Sequence, residues 1–137
     1  MDERLRRDII EVVDDYPVVF SYLFGSHARG EARHDSDVDV AVCFEPGLAA
    51  AERFDLLLRL GAGLEVALRR EVDVVDLDEA PLRLAGRILT ERVVLTGLDR
   101  PERVRYETRV FAPSVDFEYH ASRLDRELLA AMARGER

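Results

Sequence analysis

Apolar and polar residues follow two different periods along the first part of the chain, one typical of helices and one typical of strands. Residues 5–13 carry apolar side chains at helical spacing, and this pattern stops before Pro17. The segment 18–24, VVFSYLF, is β-branched and aromatic and ends at Gly25, which predicts a strand. After a turn-rich stretch with room for one short helix, the segment 37–44, DVDVAVCF, predicts a second strand.

The same two periods continue through the middle of the chain. Residues 48–70 predict a long helix, residues 71–77 a third strand, residues 80–91 a further helix and residues 92–97 a short fourth strand. One stripe of the long helix is apolar: Phe54, Leu57, Leu60, Leu64 and Leu68. Helices and strands that alternate in this way indicate an α/β fold.

The pattern changes in the last third of the chain. Residues 98–113 are charged and interrupted by two prolines, and no helix or strand is predicted there. Residues 114–134 predict a helix with an apolar stripe formed by Phe117, Ala121, Leu124, Leu128 and Met132. We therefore predict a domain over residues 1–98 and a C-terminal helical tail over residues 99–137 that packs on it.

Charge and hydropathy argue against a general nucleic-acid-binding protein and against a membrane-spanning one. The chain has 137 residues and a formal net charge of −8, and residues 1–98 hold 12 arginines against 20 aspartates and glutamates. An acidic chain is a poor general binder of nucleic-acid phosphates. There is no run of 18 apolar residues and no apolar signal region in the first ten residues, so we expect a cytoplasmic protein. The single cysteine, Cys43, lies in an apolar run and is interpreted as a small core residue.

Two carboxylates stand side by side at the start of the second strand. Residues two apart in a strand point to the same side, so Asp37 and Asp39 share one face while Val38 and Val40 share the other. At about 3.3 Å per residue their Cα atoms lie roughly 6–7 Å apart, and their mutual repulsion calls for a neutralising group. Magnesium fits this need, because it binds one or two carboxylates and leaves positions for water and phosphate.

Gly25 and Ser26 lie between the first strand and the predicted short helix. Backbone N–H groups at a helix start, together with a hydroxyl, form an anion site that suits phosphate. Two-metal transfer chemistry needs a third acid for the ion that activates the acceptor, and the candidates are Asp73, Asp76 and Asp78. Because Asp73 and Asp76 are three residues apart in a strand, at most one of these two faces the site.

The stretch GSHARGEARHDSDVDVAV, residues 25–42, resembles the signature of the nucleotidyltransferase superfamily that includes DNA polymerase beta and kanamycin nucleotidyltransferase. In size, the chain is similar to the minimal branch of that superfamily, the MNT proteins encoded beside HEPN-domain proteins in bacteria and archaea. The resemblance covers most of residues 20–97. It implies a DNA polymerase beta-like α/β fold, with a small mixed sheet flanked by helices and a C-terminal helical appendage.

The resemblance also implies the roles of individual residues. Asp37 and Asp39 match the catalytic, metal-binding pair, and in VDVVDL the matching position for the third acid is Asp73. The remaining matches are expected to bind the nucleotide: Gly25, Ser26, Arg29 and Ser36.

The function implied by the resemblance is transfer of AMP from ATP, with two magnesium ions, to a tyrosine hydroxyl of a HEPN-domain toxin. The chain would be the antitoxin of that toxin and form a hetero-oligomer with it. One alternative is a small-molecule nucleotidyltransferase of the aminoglycoside-modifying kind, although 137 residues leave little room for the further domain of those enzymes. The other is a non-catalytic antitoxin that acts by binding alone, which would have no use for the three aspartates.

Overall fold

A computed structural model describes residues 2–112 of the chain, in which five helices and four strands follow one another. In chain order these are α1 (Glu3–Val13), β1 (Val18–Phe24), α2 (Ser26–Arg29), β2 (Val38–Phe44), α3 (Ala50–Leu68), β3 (Val72–Asp76), α4 (Leu82–Glu91), β4 (Val93–Thr96) and α5 (Pro101–Phe111). The predicted elements up to residue 97 are confirmed, each bound falling within two residues of its expected position. The helix predicted over residues 114–134 lies outside the described residues.

The four strands form one mixed sheet in the order β3-β2-β1-β4. The central strand β1 runs antiparallel to both β2 and β4, and β2 runs parallel to β3. This arrangement confirms the α/β class with a small mixed sheet. It also places the start of β2, the start of β3 and the end of β1 at the same edge of the sheet.

Each face of the sheet is covered by its own pair of helices. On one face, Val38, Val40 and Val42 of β2 pack in a core cluster with residues of α1 and α3. On the other face, Ala41 packs in a second cluster with α4 and α5. Because side chains alternate along a strand, Asp39 points to the same side as Ala41, which is the side of α4 and α5.

The helix α5 was not predicted from the sequence. Its first residue is Pro101, at a position where the missing N–H and the fixed φ of proline are compatible with a helix. Its inward face combines the apolar Tyr106 and Val110 with the buried charged residues Arg103 and Glu107. Because Arg103 and Glu107 occupy buried positions, the inward face of α5 lacks the regular apolar spacing from which helices are predicted.

The apolar stripe of α3 is only partly buried. Leu60 and Leu64 are fully buried, whereas Phe54, on the same stripe, is 64% exposed. The first turns of α3 border an open groove of about 500 Å³, which Phe54 lines together with Val74 and Leu84. Within residues 2–112, none of the helices combines the length and the apolarity needed to cross a membrane.

Candidate active site

The register of the sheet brings three of the predicted acids together. Asp39 of β2 is the direct partner of Asp73 of β3 in the parallel pair, so their Cα atoms are about 4.8 Å apart. Asp37 is the residue before β2, two positions ahead of Asp39, and is exposed. The three carboxylates therefore start from one corner of the sheet, where two parallel strands begin.

The charges in this corner act on Asp39. Its pKa is raised above the usual range, first by burial and then by the negative charges of Asp73 and Asp37. The nearby side chains of Arg87 and His27 oppose this rise. The carboxylates thus repel one another, and positive charge at this corner stabilises them.

Asp76 belongs to a different environment. Arg53 of α3 donates through Nη2 to Asp76 Oδ2 at 2.7 Å, and the backbone N–H of Asp78 donates to Asp76 Oδ1 at 3.0 Å. The side chain of Asp76 is 5% exposed, whereas Asp73 is exposed beside Asp39. The structure therefore separates Asp76 from the acidic corner and leaves Asp73 there.

Gly25 lies against the acidic corner. Its φ of +76° is one that L side chains rarely adopt, and a Cβ at this position would collide with Oδ2 of Asp39. The helix α2 starts at the next residue, Ser26, and its first N–H groups have no acceptor within the helix. Glycine allows the Asp39 carboxylate and the start of α2 to lie next to each other.

Sequence reasoning missed Glu91, which contacts the Gly25 turn. The backbone N–H of Gly25 donates to Glu91 Oε2 at 2.9 Å. The Oε1 atom of Glu91 lies 3.0 Å from Arg29 Nη1 and 3.7 Å from Arg87 Nε. No motif marks Glu91 or Arg87, because they lie far along the chain from residues 25–42 and meet the Gly25 turn only in the folded structure. The one sequence signal is their i,i+4 spacing on a predicted helix.

The two remaining nucleotide-binding candidates have contacts of their own. Arg29 is exposed and also pairs through Nε with Glu31 at 2.7 Å. The hydroxyl of Ser36 accepts the backbone N–H of Arg33 at 2.8 Å, and the carbonyl oxygen of Ser36 lies 3.1 Å from His27 Nε2. These contacts hold the loop that leads into Asp37, and a phosphate contact of Arg29 or Ser36 stays a prediction.

The family model described as polymerase beta, nucleotidyltransferase matches residues 7–101 of the chain. The chain belongs to this nucleotidyltransferase family. The matched span begins within α1 and ends at the start of α5, and it contains all the candidate site residues. The resemblance seen in the sequence is thereby confirmed.

Two curated proteins of this family are similar to the chain. A predicted protein adenylyltransferase of Methanocaldococcus jannaschii is 36% identical over 89 residues, which cover 65% of this chain and 91% of that protein. The protein adenylyltransferase MntA of Shewanella oneidensis is 32% identical over 81 residues, which cover 59% of this chain and 55% of MntA. The match therefore spans about half of the length of MntA.

Two solved structures share the fold. A mutant of the MntA toxin–antitoxin complex contains a chain with 25% identity and a TM-score of 0.64, and the alignment covers 98% of both chains. A complex of tri-AMPylated Shewanella oneidensis HEPN toxin with MNT antitoxin gives 23% identity and a TM-score of 0.62, over 98% of this chain and 99% of the other.

The donor set fits the divalent metal that members of this family generally use. Carboxylate oxygens are the ligands that magnesium prefers, and the pairing of Asp39 with Asp73 across the strands brings two of them to one side of the sheet. Among residues 2–112, however, no three His, Cys, Asp or Glu side chains are arranged as a metal site. Binding an ion there therefore requires the carboxylates to turn toward it.

Proposed function

We propose that this chain transfers AMP from magnesium–ATP to a tyrosine hydroxyl of a HEPN-domain toxin and thereby acts as the antitoxin of that toxin. The observation that carries the proposal is the register that sets Asp39 beside Asp73, with Asp37 and the Gly25 turn adjacent, in a chain of the nucleotidyltransferase family. The named activity of MntA supports protein as the acceptor. The solved complexes of similar fold support a HEPN toxin as the partner.

Each acid has a distinct task in this proposal. Asp37 and Asp39 hold two magnesium ions, and Asp73 is a ligand of the ion on the acceptor side. Bound there, magnesium lowers the pKa of the acceptor hydroxyl and neutralises charge on the leaving oxygen. Gly25 and Ser26 bind the triphosphate through the N–H groups at the start of α2 and the Ser26 hydroxyl.

The reaction exchanges one phosphorus–oxygen bond for another. The tyrosine oxygen attacks the α-phosphorus of ATP, and the bond from that phosphorus to the oxygen leading to the β-phosphate breaks. Diphosphate leaves with the bonding electron pair, and the hydroxyl proton passes to the Asp73 carboxylate or to water. Because Asp37 and Asp73 are exposed where β2 and β3 begin, a side chain from another protein has access to this corner.

The proposal also includes a cytoplasmic location and no direct binding of nucleic acid. ATP and a toxin of the same cell place the reaction in the cytoplasm. A net charge of −8 disfavours direct nucleic-acid binding, so we assign none.

The decisive experiment is AMP transfer in a purified system. The chain is incubated with magnesium, ATP labelled at the α-phosphate and the HEPN-domain protein encoded beside it, and the label on the toxin is followed with and without chelator. We expect labelling that needs magnesium and is lost in Asp39→Asn. Neutralisation of the toxin by Asp39→Asn at the wild-type level, without labelling, would favour an antitoxin that acts by binding alone.

A further inference from the structure

Two arginines and one glutamate form a cluster beside the acidic corner, at the end of α4. Glu91 lies between them, with Arg29 Nη1 at 3.0 Å and Arg87 Nε at 3.7 Å from the same oxygen. The other oxygen of Glu91 accepts the N–H of Gly25, so the cluster is fixed to the turn that precedes α2. Arg87 is thus anchored one helical turn before the point where α4 meets the end of β1.

Arg87 is exposed on the side of the sheet to which the acids point. Its side chain is 62% exposed, while that of Glu91 is 15% exposed. Its partner Glu91 accepts the N–H of Gly25, and the Cβ position of Gly25 lies against the Asp39 carboxylate. Arg87 therefore combines closeness to the acidic corner with a guanidinium open to a ligand.

The negative charges of the acidic corner repel a triphosphate that binds there. Asp37, Asp39 and Asp73 are negative, and a nucleoside triphosphate adds further negative charge beyond the α-phosphate. Bound divalent ions offset only part of this charge, and the outer phosphates need further cations. A guanidinium suits the task because its N–H groups match phosphate oxygens in pairs.

We propose that Arg87 is a phosphate-binding residue that contacts the β- or γ-phosphate of the bound nucleoside triphosphate. The inference rests on the proposed function, since it takes a nucleoside triphosphate as the ligand. It adds α4 to the nucleotide site, whereas the sequence motif confines the site to residues 25–39 and β3.

The test compares the binding of magnesium–ATP and of AMP, by calorimetry on the full chain, in the wild type and in three variants. Arg87→Ala is expected to weaken magnesium–ATP binding at least tenfold and to leave AMP binding within twofold, because AMP lacks the outer phosphates. Arg87→Lys keeps the charge but loses the paired N–H groups, so its affinity for magnesium–ATP should lie between those of the wild type and Arg87→Ala. The matched control is Arg83→Ala, another exposed arginine one turn earlier on α4, which should bind like the wild type.

The outcomes separate this inference from the function on which it rests. If Arg87→Ala binds magnesium–ATP as tightly as the wild type does, the role of Arg87 is overturned, while the proposed function is not affected. An equal loss from Arg83→Ala overturns that role as well, because general charge would then explain the effect. A parallel loss of AMP binding in Arg87→Ala does the same, by showing that the whole site has changed. A wild-type chain that binds no magnesium–ATP overturns the proposed function itself.

Discussion

Single residues in the acidic corner depend on one another. Gly25 adopts a positive φ and leaves its Cβ position to the carboxylate of Asp39, which in turn faces Asp73 across the strand pair. The Gly25 turn and the proposed metal ligands thus lie next to each other. A change at the turn is therefore transmitted directly to the carboxylates.

Substitution of Gly25 by alanine should abolish magnesium–ATP binding. The added methyl group must displace the Asp39 carboxylate, and alanine must also adopt the φ of +76°. Gly30→Ala is the matched control, because Gly30 has a φ of +73° but nothing within 4 Å of its Cβ position. The control should lose about 1 kcal/mol of stability and keep its nucleotide affinity. Equal loss of binding in both variants would show that backbone strain, and not contact with Asp39, is responsible.

Asp73 and Asp76 should respond in opposite ways to replacement by asparagine. Asp73→Asn removes an exposed acid of the corner and one source of repulsion on Asp39, so we expect at least a hundredfold loss of AMP transfer and no loss of stability. Asp76→Asn weakens the buried pair with Arg53, so we expect it to lose about 1–3 kcal/mol of unfolding free energy while the folded fraction remains active. Transfer rates and urea denaturation of both variants check this, and the reverse result would shift the proposed role to Asp76.

The raised pKa of Asp39 predicts a pH-dependent stability in the presence of chelator. A carboxyl group with a raised pKa in the folded state binds its proton more tightly there than in the unfolded chain. The free energy of unfolding therefore falls as the pH rises from the usual aspartate pKa through the raised one, and it stays lower above that window. Asp39→Asn removes this loss, so it should be more stable than the wild type at pH 7 and similar to it at pH 3. Urea denaturation at both pH values measures the difference in unfolding free energy between Asp39→Asn and the wild type. The same difference at pH 3 and at pH 7 would count against repulsion at this corner.

At the scale of whole elements, the helices and strands that can be predicted from the sequence are those marked by local periodicity and by turn residues. Pro17 and Gly25 bound β1, which is rich in β-branched and aromatic residues, and Pro46 follows β2. The shared face of Asp37 and Asp39 is predicted from the strand period alone. The contact of Asp39 with Asp73 depends on a parallel register, and the contact of Glu91 with Gly25 depends on a neighbouring strand. Such relations join distant parts of the chain, so no local pattern contains them.

The helix α5 is fixed to the sheet by a polar cluster around Glu107. This carboxylate accepts hydrogen bonds from the Tyr22 hydroxyl at 2.6 Å, from Arg92 Nε at 3.0 Å and from Arg103 Nη1 at 2.8 Å. Burial and the nearby Glu107 charge raise the pKa of Tyr22 well above its usual range, so the hydroxyl remains a donor. The cluster replaces apolar packing at the centre of this helix.

Replacing Glu107 by alanine should therefore destabilise the whole domain. The two guanidinium groups would lose their shared carboxylate in a buried position, which costs about 3–5 kcal/mol in comparable cases. Urea denaturation measures the loss. Glu102→Ala serves as the control, because Glu102 pairs with Arg100 near the surface at the start of the same helix, and it should leave the midpoint unchanged. Similar midpoints for the two variants would mean that the Glu107 cluster contributes little.

At the scale of the whole molecule, α5 belongs to the packed part of the described chain. Both buried clusters draw their members from residues 5 to 110, and α5 contributes Tyr106 and Val110 to the second cluster. Residues 101–111 therefore pack on the domain. The predicted division into a domain over residues 1–98 and a tail over residues 99–137 stays a prediction.

Removal of residues 113–137 should separate nucleotide binding from partner binding. The acidic corner and both core clusters lie within the described residues, so we expect the shortened chain to fold and to bind magnesium–ATP with unchanged affinity. The removed segment carries apolar residues at helical spacing, and we expect its loss to weaken binding to the HEPN toxin more than tenfold, or about 1.4 kcal/mol. Calorimetry with magnesium–ATP and with the toxin measures both affinities on the same preparation. A shortened chain that does not fold would assign the segment to the core, and one that modifies the toxin at the full rate would place the docking surface on residues 2–112.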